Sequence, residues 1–318
     1  MKKELIRKIV TGAFVFVVIG SLVGSLVYFF PRWGGGVPEQ VNKAMEYINE
    51  MVREEGQTAS LISWKEEGGL YKIDFKIGEQ QYQSFLTKDG KYLFPYGINL
   101  AEFKPVKVEK RERPDVKLFV MSYCPFGLQM EKALLPVWKL LKDKADFGIY
   151  FVDYIMHDKK EIDENLRQYC IQKENVEKYL AYLECFVKKG SEENLEVYKN
   201  CLEESGIDEN KLNSCIEETD KKYRVTELYN DQSTWRGGRY PPFNVHEDLN
   251  EKYRVGGSPT LVINDTVVRV ARSPEKVKEA ICDAFLNPPE ECNQKLPENF
   301  TSPGFGMTIG SSSSGSCQ

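Results

Sequence analysis

The pattern of hydrophobic and polar positions predicts a small α+β module in residues 38–104. Apolar residues recur at spacings of three and four over 39–54, which predicts an amphipathic helix. Residues 71–77 alternate apolar with charged side chains, the pattern of a half-buried strand. Residues 81–94 predict a hairpin around the Asp-Gly pair near their middle. The module would serve as a spacer, a dimerising arm or a platform that faces a substrate.

The order of elements changes after a charged linker at 104–114. An apolar run at 116–121 predicts a strand, a helical pattern follows over 125–142, and 147–154 predicts a second strand. Pro136 lies inside this helix, where its missing N–H predicts a kink. Two strands joined by a helix form a β-α-β unit with parallel strands, so we expect an α/β domain.

The rest of this domain is first helical and then returns to sheet. Four helical patterns fill residues 160–230 and form an insertion. Two short strands between 260 and 270 precede a last helix that Ser273 caps. We therefore expect the domain to cover 115–292. The remaining residues, 293–318, are rich in Pro, Gly and Ser, and we expect them to be disordered.

The N-terminal region contains an uncharged apolar run of 22 residues at 9–30. As a helix this run is about 33 Å long, enough for the roughly 30 Å hydrocarbon core of a membrane. Four basic residues precede the run and one follows it closely, so the positive-inside rule puts the N-terminus in the cytoplasm. A cleaved signal peptide is the alternative, but its apolar part would be shorter and would end in small residues. We expect residues 1–36 to be a cytoplasmic stub with a transmembrane anchor, and the other domains to lie outside the cell membrane.

Composition narrows the functional classes. The net charge of −5 and the lack of a basic stripe with interleaved aromatic residues argue against a nucleic-acid partner. The eight cysteines lie beyond the first third of the chain, and such dispersed cysteines suit an oxidising compartment, where they pair. Because the chain has no Cys-x-x-Cys pair and only two histidines, we expect no metal site and no cofactor.

Cys124 is the candidate catalytic residue, because it joins the first strand of the α/β domain to the following helix. A cysteine there lies beside unpaired backbone N–H groups and the positive end of the helix dipole, which both favour the thiolate. The alternative is an inert buried thiol or a structural disulfide. A second segment, Gly-Gly-Ser258-Pro259, immediately precedes an apolar strand. Its Ser258–Pro259 bond is either cis, which turns the Ser258 backbone outward, or part of an ordinary trans turn.

The order of these elements resembles the thioredoxin fold of the DsbA-like thiol–disulfide oxidoreductases. The order is a strand, Cys-Pro-x-x, a helix, a strand, the helical insertion, Gly-Ser-Pro-Thr, two strands and a helix. The resemblance covers 115–292. The cysteine-rich insertion is also similar to that of the gamma-interferon-inducible lysosomal thiol reductases, and the small module to the N-terminal arm of DsbC-type isomerases. In the DsbA-like family the proline is cis and packs beside the active-site sulfur. The resemblance therefore implies a substrate-binding surface beside Cys124 that consists of Pro125, Phe126, Ser258 and Pro259.

One position departs from this family. The family's motif is Cys-x-x-Cys, but Gly127 stands at the fourth position, so no second motif cysteine stores or resolves a disulfide. Three outcomes are open: Cys124 works with an external thiol, a distant cysteine resolves it, or the fold binds without redox chemistry. Cys317 lies near the C-terminus and reaches Cys124, another chain, or nothing.

The other six cysteines are candidates for structural disulfides. Four lie in the insertion, one on each predicted helix, which predicts two disulfides with three alternative pairings. The other two are ten residues apart at the end of the domain and would close a short loop. The six candidates are Cys170, Cys185, Cys201, Cys215, Cys282 and Cys292.

The sequence therefore predicts a membrane-anchored, extracytoplasmic thiol–disulfide oxidoreductase with a single nucleophilic cysteine. A single-thiol site favours a reductase or isomerase that works on protein or small thiol and disulfide substrates. The alternative is a redox-inactive, chaperone-like binding module, and a thiol peroxidase is a third interpretation. A homodimer through residues 38–104 is a further expectation.

Overall fold

The computed structural model describes residues 36–53, 56–98, 100, 105–191, 194–307 and 317. The chain divides into two compact units, residues 1–104 and residues 105–318. The predicted anchor at 9–30 lies outside the described residues. Within the described ranges, no helix combines the length and apolar character that crossing a membrane requires.

The described residues of the first unit form one α-helix packed on an antiparallel sheet. Val41, Ala44 and Ile48 lie on the buried face of the helix, which explains the spacing seen in the sequence. They pack against alternate residues of the sheet, among them Ile73 and Phe75. The sheet follows chain order. Its elements are α1 (Glu39–Val52), β1 (Ala59–Glu67), β2 (Leu70–Ile77), β3 (Gln80–Thr87) and β4 (Leu93–Phe94).

The second unit is built on a four-stranded mixed sheet. Strand β5 (Asp115–Val120), helix α2 (Pro125–Leu141) and strand β6 (Asp146–Phe151) form the predicted parallel β-α-β unit. Strands β7 (Thr260–Ile263) and β8 (Thr266–Val268) follow as an antiparallel hairpin, and β7 pairs with β5 in the order β6-β5-β7-β8. This is the arrangement that the resemblance implied, and the thioredoxin-like α/β fold is confirmed.

A helical insertion separates β6 from β7. The last of its four predicted helices, expected to be continuous, is two helices, because Arg224 adopts a left-handed conformation between them. A helix at 247–253 was not predicted from the sequence. The helices are α3 (Asp158–Glu174), α4 (Val176–Lys189), α5 (Val197–Glu204), α6 (Glu209–Tyr223), α7 (Val225–Asn230) and α8 (Glu247–Tyr253), and α9 (Pro274–Cys282) follows the hairpin.

The chain after α9 departs from the expectation of disorder at 293–318. Residues 294–307 lie against the domain, and Thr301 Oγ1 donates to the carbonyl of Gln129 on α2 at 2.7 Å. The buried Lys132 ammonium donates to the carbonyls of Gly304 and Gly306 at 2.8 and 2.7 Å. The prediction of disorder is therefore wrong for this stretch, because a buried ammonium needs acceptors and these carbonyls provide them.

Candidate active site

Cys124 lies where β5 gives way to α2. Its N–H donates to the carbonyl of Met121 at 2.9 Å, which closes a tight turn after the strand. Cys124 is the N-cap of α2, and Pro125 occupies the first turn, where its missing N–H costs no hydrogen bond. The N–H of Gly127 donates to Cys124 Sγ at 3.4 Å. The sulfur therefore takes the place that a capping oxygen usually has, at the positive end of the helix.

The loop before β7 forms the second wall of the site. Strand register places Thr260 opposite Phe119, which brings the preceding Ser258 beside the end of β5. The Ser258–Pro259 peptide bond is cis. The carbonyl oxygen of Ser258 lies 3.5 Å from Cys124 Sγ. The residues that the resemblance placed around Cys124 therefore lie together in the structure.

Cys317 forms a disulfide with Cys124 across a sequence separation of 193 residues. Its backbone is also paired with the loop before β7. The N–H of Ser258 donates to the carbonyl of Cys317 at 3.0 Å, and the N–H of Cys317 donates back to the carbonyl of Ser258 at 2.8 Å. Of the alternatives for Cys317 that the sequence left open, the structure shows the bond to Cys124.

The other six cysteines form three disulfides. Two of these join helices of the insertion, and the third closes the short loop after α9, so all eight cysteines of the chain are paired. In the insertion, Cys170, Cys185 and Cys201 belong to the main core and Cys215 packs against it, which suits a structural role. The pairs are Cys170–Cys215, Cys185–Cys201 and Cys282–Cys292.

The insertion supports the turn that carries Cys124. The N–H of Ser122 donates to Asn165 Oδ1 at 3.2 Å, and Ser122 Oγ donates to the carbonyl of Glu161 at 3.5 Å. Both acceptors belong to α3, and all three residues are buried. Sequence reasoning did not find Asn165, because a polar residue on an amphipathic helix gives no sign of what it faces. His157 pairs with the same Glu161 at the start of α3.

The surface around the disulfide is partly apolar. Cys124 is fully buried, whereas Pro125 is exposed, and Phe126, Pro259 and Cys317 are half-buried. These exposed faces lie next to the sulfur pair, so a partner that approaches the disulfide meets proline and aromatic surface first. In the part of the chain that the structure describes, no group of three or more His, Cys, Asp or Glu residues is arranged to hold a metal ion.

Glu131 is a buried carboxyl group on the helix that Cys124 caps. Burial, with a further contribution from the nearby Glu164, raises the pKa of its side chain to about 8. The carboxyl is therefore largely neutral at pH 7. Glu131 lies seven positions after Cys124, about 10 Å along a helix. A neutral group there does not oppose a thiolate at the helix start.

Comparison with protein-family models and with curated proteins gives no match to this chain. Among solved structures, the reduced DsbA of Mycobacterium tuberculosis is 14% identical, with 59% of this chain and 95% of that chain covered and a TM-score of 0.39. For the oxidised BdbD of Bacillus subtilis the identity is 20%, the coverage 60% and 94%, and the TM-score 0.37. For the reduced DsbG of Mycobacterium tuberculosis the values are 15%, 57%, 82% and 0.39. At these sequence identities and TM-scores, the similarity supports no conclusion about the function of this chain.

Proposed function

We propose that this protein is a thiol–disulfide oxidoreductase in which Cys124 is the exchanging sulfur. The observation that carries the proposal is the environment of Cys124 Sγ. The sulfur caps α2, accepts from the Gly127 N–H at 3.4 Å, and lies in a disulfide beside the Ser258 carbonyl. A thiolate is the nucleophile in disulfide exchange, and the helix N-terminus stabilises that form.

The chemistry follows from this placement. When Cys124 is reduced, its thiolate attacks one sulfur of a substrate disulfide and forms a mixed disulfide, and the other substrate sulfur leaves as a thiolate. In the reverse direction Cys124 is itself a good leaving group, because the helix start stabilises its negative charge. Gly127 at the fourth motif position favours reduction or isomerisation of protein or small disulfides over self-contained oxidation within the motif.

The acidity of the Cys124 thiol can be measured in the variant Cys317→Ser, in which Cys124 is the one cysteine left without a partner. We expect its alkylation rate to reach half its maximum below pH ~8.5, the pKa of a free thiol. Mass spectrometry of the alkylated peptide identifies the site, and Cys124→Ser with Cys317→Ser is the control without a reactive thiol. A midpoint at or above that pH would favour the redox-inactive binding module instead.

We also propose that residues 9–30 anchor the chain and that both units lie outside the cytoplasmic membrane. The basic residues before the apolar run support this orientation. Four disulfides support an oxidising compartment. The chain should sediment with membranes, and deletion of residues 1–36 should release it. Protease added to intact cells should digest residues 105–318; protection until the membrane is lysed would overturn the orientation.

Self-association through residues 38–104 stays a prediction. Light scattering on the chain that lacks residues 1–36 should give twice the mass of one chain if the prediction holds. The matched comparison is residues 105–318 alone, which should then be monomeric. A monomer in both samples would assign the first unit to a spacer or a platform.

A further inference from the structure

The fourth position of the motif has no room for a second sulfur. A Cβ added to Gly127 would lie 2.6 Å from Ser258 Oγ and 3.2 Å from the carbonyl oxygen of Met121. Ser258 is fully buried, and its Oγ accepts from the N–H of Met121 at 3.0 Å. The hydroxyl is therefore held in place by a backbone group, and it occupies the space that a side chain at position 127 would need.

A second sulfur reaches Cys124 from another direction. Cys317 lies in the disulfide with Cys124, and both of its backbone polar groups pair with Ser258. Two hydrogen bonds in addition to the covalent bond define a specific position for this residue. The same serine thus blocks the fourth motif position with its side chain and holds Cys317 with its backbone.

The C-terminal region is attached close to this position. The N–H of Gly304 donates to the carbonyl of Pro125 at 2.8 Å, one residue after Cys124. The N–H of Gly306 donates to the carbonyl of Val187 at 2.9 Å, and its carbonyl accepts from Lys132. Gly306 and Cys317 are eleven positions apart in the sequence. A short connection of this kind gives the Cys317 thiol a high effective concentration at Cys124, on the order of millimolar.

We propose that Cys317 is the resolving cysteine of Cys124 and replaces the missing second cysteine of the motif. The proposal rests on the proposed function of Cys124. The Cys124 thiolate attacks a substrate disulfide, a Cys124–substrate disulfide forms, and the first substrate thiolate leaves. The Cys317 thiolate then attacks Cys124 Sγ, the mixed disulfide breaks, and the second substrate thiolate leaves. Two electrons pass to the substrate, whose two thiolates take up the protons of the two cysteine thiols, and the chain ends in the disulfide seen in the structure.

A single-turnover reaction with glutathione disulfide tests the resolving step. Wild-type protein is reduced until two thiols per chain appear, freed of reductant and mixed with an equimolar amount of the disulfide. It should release two molecules of glutathione and re-form the Cys124–Cys317 bond. Cys317→Ser, prepared without reductant, should release one glutathione and keep the other on Cys124. At about 10 μM free thiol, release of the second glutathione should be about 100-fold slower in this variant.

The matched control is Gln318→Ala, which changes the neighbouring residue and keeps the sulfur, and it should behave as wild type. If Cys317→Ser released the second glutathione at the wild-type rate, the resolving role would be wrong while the function of Cys124 stood. If Cys124 in the same variant released no glutathione at all, the proposed function itself would fail. The two failures therefore give different products.

A second set of variants tests why the resolving sulfur comes from Cys317. In the Cys317→Ser background, Gly127→Cys should not form a disulfide with Cys124, because Ser258 Oγ occupies the space. Adding Ser258→Ala removes this oxygen and should allow a disulfide between Cys124 and the sulfur introduced at position 127, which peptide mapping detects. Ser258→Ala alone controls for the lost hydrogen bond to Met121, and circular dichroism confirms that each variant is folded. An efficient bond in the Gly127→Cys variant with Ser258 intact would show that the fourth position is open.

Discussion

At the scale of single residues, two side-chain oxygens determine the shape of the turn before Cys124. The backbone N–H groups of Met121 and Ser122 are buried, and each donates to a side-chain oxygen, Ser258 Oγ and Asn165 Oδ1 respectively. A buried donor without a partner destabilises a fold by roughly 1–3 kcal/mol. These two side chains therefore fix the turn that leads into Cys124, although both are distant from it in the sequence.

His246 gives a pH-dependent prediction at the same scale. Its Nδ1 accepts from the N–H of Phe151 at 3.0 Å, and burial lowers the pKa of the imidazole to about 4. In the unfolded chain the pKa is about 6.5, so the unfolded state binds the proton first as pH falls. The contribution of His246 to the free energy of unfolding is thus present above pH ~6.5. It is lost as the pH falls towards 4, by up to about 1.4 kcal/mol per pH unit.

The variant His246→Asn isolates this effect, because the amide oxygen can accept the same hydrogen bond and does not titrate. We expect the free energy of unfolding, measured with urea at pH 4.5 to 7.5, to fall less steeply with acid in the variant than in wild type. Equal slopes in the two proteins would show that His246 is not the group responsible.

The sequence was informative at the residue scale where a local rule applied. A cysteine after a strand and before Pro125 is readable as the start of a helix, so Cys124 was identified. The sequence did not predict that Ser258 blocks the space at Gly127, because 131 positions separate the two residues and no local pattern links them. The partner of Cys317 stayed open for the same reason.

At the scale of elements, disulfides hold the insertion together. Cys170–Cys215 joins α3 to α6 across 45 residues, and Cys185–Cys201 joins α4 to α5 across 16 residues. Chain entropy predicts about 4 kcal/mol of stabilisation for the longer loop and about 3 kcal/mol for the shorter one. We therefore expect the double variant Cys170→Ala with Cys215→Ala to lose more stability in urea unfolding than Cys185→Ala with Cys201→Ala. The reverse order would mean that packing, not loop closure, decides the difference.

Helix α2 and the segment 301–307 form a second pair of elements, joined through Lys132. Lys132→Met removes the ammonium that binds the carbonyls of Gly304 and Gly306. The N–H groups of Gly304 and Gly306 keep their own acceptors, so the attachment is weakened and the loop that Cys317 must close is longer for part of the time. Closure should therefore slow by up to about twofold by loop entropy. Stopped-flow measurement of the second glutathione release checks this, while release of the first should be unchanged. Lys139→Met is the matched control on the exposed side of the same helix, and an equal effect there would contradict the account.

Periodicity predicted the elements that have a regular buried face and missed those that do not. Strand β1 was missed because a bulge between Leu61 and Ser63 interrupts its alternation. Helix α8 has only seven residues, too few for a clear period. The composition of residues 294–307 predicted disorder. Their acceptors for Lys132 are backbone carbonyls, which do not depend on residue type, so the composition could not indicate this contact.

At the scale of the whole molecule, the two units have separate hydrophobic cores. The first core contains residues between Val41 and Leu93. The core of the second unit and the apolar cluster around Cys124 contain only residues from Val108 onward. Since each unit buries its own apolar face, neither requires the other for a core. The chemistry of Cys124 and the folding of the first unit should therefore be separable.

Cleavage between the units tests this separation. Lys107 and Lys110 lie in an exposed stretch, and trypsin should cut there before it cuts the folded units. A cut after Lys110 keeps the bond from Arg111 N to the carbonyl of Ala284 at 2.9 Å. It removes the carbonyl of Glu109, which accepts from Asn264 Nδ2 at 2.6 Å, but Asn264 Nδ2 also donates to the carbonyl of Ala284 at 3.2 Å. We expect the purified fragment that starts at residue 111 to release both glutathione molecules at the rate of the uncut protein. A rate that falls in proportion to cleavage would instead show that the first unit takes part in the exchange, as a substrate-facing platform would.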